Sequence, residues 1–139
     1  MTSYNELWEY FLDMSGLYNE EIPNDENEIK KEIRNSIRSY NTKIDDGFVE
    51  KLKFDNDLEE ISLDKEDDNY DIKFKILALF IEKELQTKSL KYFQSVWQFD
   101  QKEIKSKFYK DQVTARQKTI SDLNKEISQL FSYMTDYNF

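Results

Sequence analysis

The stretch YDIKFKILALFIEKEL, residues 70–85, decides the fold, because it contains the longest apolar run of the chain, Ile76 to Ile81. Its first seven residues alternate between polar and apolar side chains, as in a strand. From Leu77 onward the residues are strong helix formers with apolar side chains on both sides. We therefore predict a central, deeply buried helix and a mainly α-helical protein.

The strongest chain breakers all lie before this stretch. Gly16, Pro23 and Gly47 are the only glycines and proline, so residues 48–139 contain neither. Their absence favours helices over hairpins, and 139 residues suffice for one core. We predict a single domain, 1–139, formed by a compact bundle of about five helices with a long C-terminal helix. A short β element near residues 44–54 or 70–76 is the alternative for those two segments.

Two amphipathic helices are predicted before the acidic middle of the chain. The first begins at Ser3, which forms a capping box with Glu6, and ends at Gly16. It buries Leu7, Trp8, Phe11 and Leu12. The second follows the turn Pro23-Asn24-Asp25 and buries apolar residues at helical spacing, namely Ile29, Ile33, Ile37 and Tyr40. Its other face is basic and carries Lys30, Lys31, Arg34 and Arg38.

The segments on either side of the central helix are less regular. Phe48, Val49, Leu52 and Phe54 predict a short helix, with a strand as the alternative. After the central helix, Leu90, Phe93 and Trp97 form one stripe. Another consists of Tyr92, Val96 and Phe99. In the last forty residues, heptad a positions hold Val113, Ile120, Ile127 and Met134, and d positions hold Leu123, Leu130 and Tyr137. This seam is regular from Ile120 to Tyr137 and suggests a homodimer through 120–137.

Composition removes many kinds of active site. The chain has no cysteine and no histidine, which excludes thiol nucleophiles, disulfides, Cys/His zinc sites and histidine bases. The N-terminal residues have no basic and apolar signal pattern, and no apolar run is long enough to span a membrane. We therefore expect a cytoplasmic protein without a cofactor or a membrane partner.

Charge is distributed unevenly along the chain, whose formal net charge is −9. Residues 1–71 hold 21 Asp/Glu against 8 Lys/Arg, whereas residues 72–139 hold 8 against 12. Residues 55–71, the acidic segment, hold nine carboxylates and one lysine. Such a cluster repels itself and costs stability, so it is either a solvated loop or a surface for a basic partner. We expect no direct binding of nucleic acid, because the net charge repels phosphates.

Metal chemistry is the competing interpretation of these carboxylates. Asp55, Asp57, Glu59 and Glu66 fall at EF-hand spacing, but Glu60 stands where that loop needs glycine. A magnesium-dependent, all-helical nucleotide hydrolase needs carboxylates at i, i+3 on helices. Glu6/Glu9 and Asp25/Glu28 have that spacing. No phosphate-binding loop accompanies them, so we predict no enzyme and no metal site.

A partner-binding role is therefore the function that the sequence favours. We predict a small acidic immunity protein, a bacterial inhibitor that occludes a cognate toxin, with a basic nuclease as the favoured target. The predicted contact residues are Asp55, Asp57, Glu59, Glu60, Asp64, Glu66, Asp67, Asp68 and Tyr70. Tyr70 and the neighbouring Leu58, Ile61 and Leu63 are the expected apolar anchors. The alternatives are a phage-encoded nucleic-acid mimic that inhibits a host defence protein, and a self-assembling helical scaffold.

Overall fold

The computed structural model describes residues 1–44, 50–97 and 103–137, and these are mainly helical, as predicted. In chain order the helices are α1 (Tyr4–Met14), a 3-10 turn (Asn19–Glu21), α2 (Glu26–Lys43), α3 (Tyr70–Trp97) and α4 (Glu103–Tyr137). The strands are β1 (Thr2–Ser3), β2 (Phe54–Asp55) and β3 (Glu60–Ile61). The described residues thus contain four α-helices rather than about five. None of them contains a stretch that is both long and apolar enough to cross a membrane.

Helix α3 is the centre of the core. It packs against α1, α2 and α4, and every residue from Ile76 to Ile81 is buried. Because three helices cover it, its apolar residues need not lie on one stripe. The prediction of a central buried helix is confirmed. The strand alternative for 70–76 is wrong, since helical hydrogen bonding begins at Tyr70.

Helix α1 begins where the sequence predicts but ends earlier. The Ser3 hydroxyl accepts the Glu6 N–H at 3.1 Å, and Leu7, Trp8 and Phe11 are buried. Leu12 is exposed, so its predicted burial is wrong. The helix ends at Met14 rather than Gly16, because Glu82 of α3 accepts hydrogen bonds from the Ser15 hydroxyl and the Gly16 N–H.

Helix α2 agrees with its prediction. The Asp25 carboxylate caps it by accepting the Asn27 N–H, and Ile33, Ile37 and Tyr40 are buried. Ile29 is half-buried and packs against the same core. On its basic face, Lys30 forms an ion pair with Glu59 at 2.7 Å and Arg38 lies over the Phe54 ring. The basic face of α2 is therefore partly covered by Glu59 of the acidic segment and by Phe54 of β2.

The three strands form a small antiparallel sheet in the order β1-β3-β2, with Ile61 paired to Thr2 on one side and to Phe54 on the other. Phe48 and Val49, part of the predicted short helix, lie outside the described residues. In the described part of this segment the predicted helix is wrong, since residues 50–53 are not helical. The strand alternative holds at Phe54, which begins β2. The Asn41 amide holds Leu52 in place by bonding both its N–H and its carbonyl at 2.8 Å, in place of helical partners.

The predicted seam of α4 faces the core of its own chain. Ile127 and Met134 are fully buried, and Leu123 and Leu130 pack half-buried against the same core. Phe131 lies against the rings of Tyr40 and Phe80. These side chains are therefore used inside the molecule, and the homodimer through 120–137 stays a prediction.

Candidate functional site

The first part of the acidic segment is a tight hairpin joining β2 to β3. At its base, an Asp55 carboxylate oxygen accepts the N–H groups of Asp57 and Leu58 at 2.9 and 3.1 Å. Glu59 adopts a left-handed conformation with φ 53°, which residues other than glycine rarely adopt. Asp55 thus serves partly to form the turn, and the turn carries local backbone strain.

Contacts with α1 hold this hairpin in place. The Tyr4 N–H donates to the Glu59 carbonyl at 2.8 Å, and the Tyr4 hydroxyl donates to the Asn56 side-chain oxygen at 2.9 Å. Burial, together with the charges of Asp55 and Glu59, raises the pKa of Tyr4 despite the opposing effect of Arg34. The hydroxyl therefore stays protonated and keeps its bond to Asn56.

The tip of the hairpin presents an apolar side chain among carboxylates. Leu58 is 66% exposed and stands between Asp57 and Glu59 in the sequence. By contrast, Ile61 and Leu63 are buried, and Tyr70 is half-buried with its ring stacked on Phe74 at 5.5 Å. Of the four expected anchors, Leu58 is the one that a partner can reach most fully.

The second part of the acidic segment lies at the other end of β3. Here Asp64, Glu66 and Asp67 line a groove of about 560 Å³ together with Lys51, Lys53 and Lys73. The groove is therefore mixed in charge. Beyond it, Asp68 is exposed just before α3 begins, and Glu60 is half-buried in β3.

Asp67 has a structural role within this groove. It accepts a 2.6 Å hydrogen bond from Lys73, a buried residue, and the N–H of Asn69 at 2.8 Å. Burial alone would raise the pKa of Asp67, but the bonds from Lys73 and Asn69 outweigh it and lower the pKa. Asp67 is therefore held ionised as the partner of a buried lysine.

Internal ion pairs distinguish three of the predicted contact residues from three others. Glu59 pairs with Lys30, Asp64 with the Met1 amino group and Asp67 with Lys73. Asp57, Glu66 and Asp68 are exposed and form no ion pair among the described residues. These three carboxylates, which we call the open carboxylates, are the part of the acidic segment with most charge to offer a partner.

The carboxylate pairs considered for metal binding have other contacts. Glu6 lies 3.4 Å from Lys65, and Glu9 accepts a hydrogen bond from Asn5. Asp25 caps α2, and Glu28 lies on the same helix. Within the described ranges, no three carboxylates lie close enough together to hold a metal ion.

A cleft of about 790 Å³ lies elsewhere on the molecule and was not predicted. The 3-10 turn, α2, α3 and α4 form it, and its lining includes Glu21, Glu32, Lys88 and Arg116. Arg116 donates to Glu21 at 2.7 Å, across 95 positions of sequence. The pKa of Glu21 is lowered: burial would raise it, but hydrogen bonds from Arg116, Ser89 and the Tyr18 N–H outweigh that effect. The signal available in the sequence was Glu32, a charge beside the apolar stripe of α2.

The chain resembles known proteins along nearly its whole length. Residues 1–135 match the family described as YomZ prophage protein. The SPbeta prophage-derived uncharacterized protein YomZ of Bacillus subtilis (strain 168) is 28% identical over 130 residues, which are 94% of this chain and 93% of that relative. No solved structure matches the chain. Since the family match extends over almost every residue described above, the chain belongs to the YomZ prophage protein family.

Proposed function

We propose that this protein binds and occludes a basic protein, as an inhibitor carried by a prophage. The observation that carries the proposal is the hairpin tip. There, exposed Leu58 stands among carboxylates on a turn that contacts with α1 hold in place. Charge complementarity speeds the encounter of two proteins, and a buried apolar anchor slows their separation. The acidic segment offers both features, whereas a merely solvated loop needs no exposed leucine.

The surface has two regions at opposite ends of β3. The hairpin tip offers Asp57 and Leu58, and the groove end offers Glu66 and Asp68. A protein that binds nucleic acid through Lys and Arg suits this arrangement, because carboxylates can pair with the side chains that otherwise hold phosphates. We therefore propose that the target is a basic nucleic-acid-binding protein.

Membership of a prophage family supports a role on a mobile element. Two targets fit that setting: a cognate toxin neutralised by an immunity protein, and a host defence protein inhibited by a nucleic-acid mimic. They share one binding chemistry, so the same surface serves either. The two are distinguished by whether the captured protein is encoded by the prophage or by the host.

The test reverses the open carboxylates. In the variant Asp57→Lys/Glu66→Lys/Asp68→Lys, capture of a basic partner from a low-salt lysate of the native host should fall at least tenfold. The matched control is Asp13→Lys/Asp111→Lys/Asp122→Lys, which changes three exposed carboxylates outside the acidic segment by the same total charge. The control should capture the partner at more than half the wild-type level. Equal loss in both variants would mean that net charge alone, rather than this surface, causes binding.

A second assay examines occlusion. The captured partner should bind or cleave nucleic acid when alone and lose that activity on addition of an equimolar amount of this protein. Leu58→Ala should increase dissociation of the complex about tenfold while changing association little, because it removes an anchor and no charge. A partner that keeps full activity in the complex would contradict inhibition and favour a scaffold.

A further inference from the structure

The unpredicted cleft contains a buried carboxylate with an unsatisfied oxygen. Glu32 lines the cleft and is 1% exposed. One of its oxygens accepts a hydrogen bond from Lys88, whereas Oε2 is buried and has no hydrogen-bond partner among the described residues. Buried polar atoms are nearly always paired in folded proteins, so an orphan acceptor beside a cleft calls for a donor.

The charges around the cleft indicate which kind of donor fits. Its lining has four carboxylates, Glu20, Glu21, Glu28 and Glu32, against Lys88 and Arg116. Arg116 is bonded to Glu21, and Lys88 to Glu32. Burial lowers the pKa of Lys88, but the bond and charge of Glu32 and the nearby Glu84 and Glu28 outweigh this and raise it. The cleft therefore favours positive charge.

Two tyrosines at the cleft supply a second cation-binding feature. Tyr18 and Tyr92 both line it and are 70% and 74% exposed, although large aromatic side chains usually contribute to cores or interfaces. The face of a tyrosine ring attracts ammonium and guanidinium groups. Two exposed aromatic side chains in the lining of a cleft that also holds a buried carboxylate are a combination suited to organic cations.

We propose that this cleft binds an organic cation with N–H donors, a guanidinium or primary ammonium group, which donates to Glu32 and lies against Tyr18 or Tyr92. Lys88 occupies the carboxylate in the unliganded protein, and 44% of its side chain is exposed. The incoming cation donates to Oε2, the oxygen of Glu32 that Lys88 leaves unpaired. The cation is an arginine or lysine side chain of a protein, or a free polyamine. No residue of 55–71 lines the cleft, so this proposal does not depend on the inhibitor proposal.

The experiment is an NMR titration of the amide groups with four probes: N-acetyl-arginine amide, N-acetyl-lysine amide, spermidine and tetramethylammonium. The N–H-bearing cations should cause saturable shifts near Glu32 and Lys88–Tyr92, and tetramethylammonium, which lacks donors, should bind at least fivefold more weakly. Glu32→Gln should raise the Kd about tenfold, since it removes the charge of the acceptor. Asp122→Asn removes one carboxylate from an exposed position of α4 and should leave the Kd unchanged.

Tyr92→Ala keeps the test decisive if Glu32→Gln does not fold. Tyr92 is exposed, so its truncation should leave the fold intact and raise the Kd about threefold through loss of the cation–π contact. Tighter binding of spermidine than of N-acetyl-arginine amide assigns the cleft to free polyamines, and the reverse order assigns it to protein side chains. No saturable shift below about 10 mM, equal binding of tetramethylammonium, or binding of inorganic phosphate in place of the cations would overturn the proposal.

Discussion

At the scale of single residues, neighbouring carboxylates of the acidic segment have different surroundings. Asp67 and Asp68 are adjacent carboxylates of the acidic segment, but Asp67 pairs with buried Lys73, whereas Asp68 is exposed. Because Asp67 forms the ion pair with this buried ammonium, we expect Asp67 to contribute to stability. Asp68, by contrast, has no ion pair among the described residues.

Replacing Asp67 should therefore destabilise the protein, and replacing Asp68 should not. We expect Asp67→Asn to lower the free energy of unfolding at pH 7 by about 1–3 kcal/mol, because the buried Lys73 ammonium then lacks its counter-charge. The control, Asp68→Asn, should change it by less than about 0.5 kcal/mol, as at most surface sites. Urea denaturation followed by circular dichroism measures both values. Equal stability of the two variants would contradict the structural role of Asp67.

The pH dependence of this difference has a definite sign. The pKa of Asp67 is lowered in the folded protein from an ordinary value of 3.8. A carboxyl group with a lowered pKa binds fewer protons when folded than when unfolded, so its contribution is complete above 3.8 and is lost as pH falls below it. The stabilities of the wild type and Asp67→Asn should therefore converge in acid. A constant difference down to pH 3 or lower would contradict the ion pair.

At the scale of elements, helices were predicted well because their signals are local. The cap of α1 at Ser3 and the apolar spacing of α2 depend on residues three or four positions apart. Of the sheet, only a β element near 44–54 was offered as an alternative, because each strand has two residues and β1 pairs with residues distant in sequence, such as Thr2 with Ile61. The end of α1 was missed for the same reason, because Glu82 lies 66 positions after Gly16. The cleft was not predicted for the same reason, because it brings Arg116 beside Glu21, 95 positions away in the sequence.

The seam of α4 gives the prediction that belongs to this scale. Ile127 is fully buried against the core of the same chain, whereas Leu12 of α1, predicted to be buried, is exposed. We expect Ile127→Ala to lower the free energy of unfolding by about 2–4 kcal/mol, and Leu12→Ala by less than about 1 kcal/mol. Denaturation at two protein concentrations distinguishes core from dimer, because only a dimer gains stability with concentration. A midpoint that rises with concentration in the wild type and not in Ile127→Ala would favour the scaffold alternative.

At the scale of the whole molecule, part of the charge asymmetry is balanced internally. Glu32 pairs with Lys88, Glu21 with Arg116 and Asp67 with Lys73, and each pair joins the acidic half to the basic half. The helices α3 and α4 thus hold the acidic half partly by charge as well as by packing. These pairs leave part of the negative charge of residues 1–71 unbalanced, above all the charge of the open carboxylates.

The excess charge should cost stability, and this gives a prediction that links folding to function. Reversing the three open carboxylates, Asp57→Lys/Glu66→Lys/Asp68→Lys, adds six units of charge and takes the net charge from −9 to −3. At low ionic strength we expect the melting temperature to rise by about 3–6 °C, equivalent to about 1 kcal/mol of relieved self-repulsion. Differential scanning calorimetry at low and high salt measures it, and salt should shrink the gain by screening.

Binding should move in the opposite direction from stability in this variant. A surface that binds a partner through its charge stops binding when that charge is reversed. Carboxylates that only keep the protein soluble can be reversed with no effect on binding and with less self-repulsion. A variant that melts higher and no longer captures the basic protein therefore supports a surface selected for binding at a cost in stability. If it melts higher and still captures its partner at the wild-type level, the contact lies elsewhere on the molecule. If the variant has a lower melting temperature than the wild type, these carboxylates stabilise the fold although they are exposed.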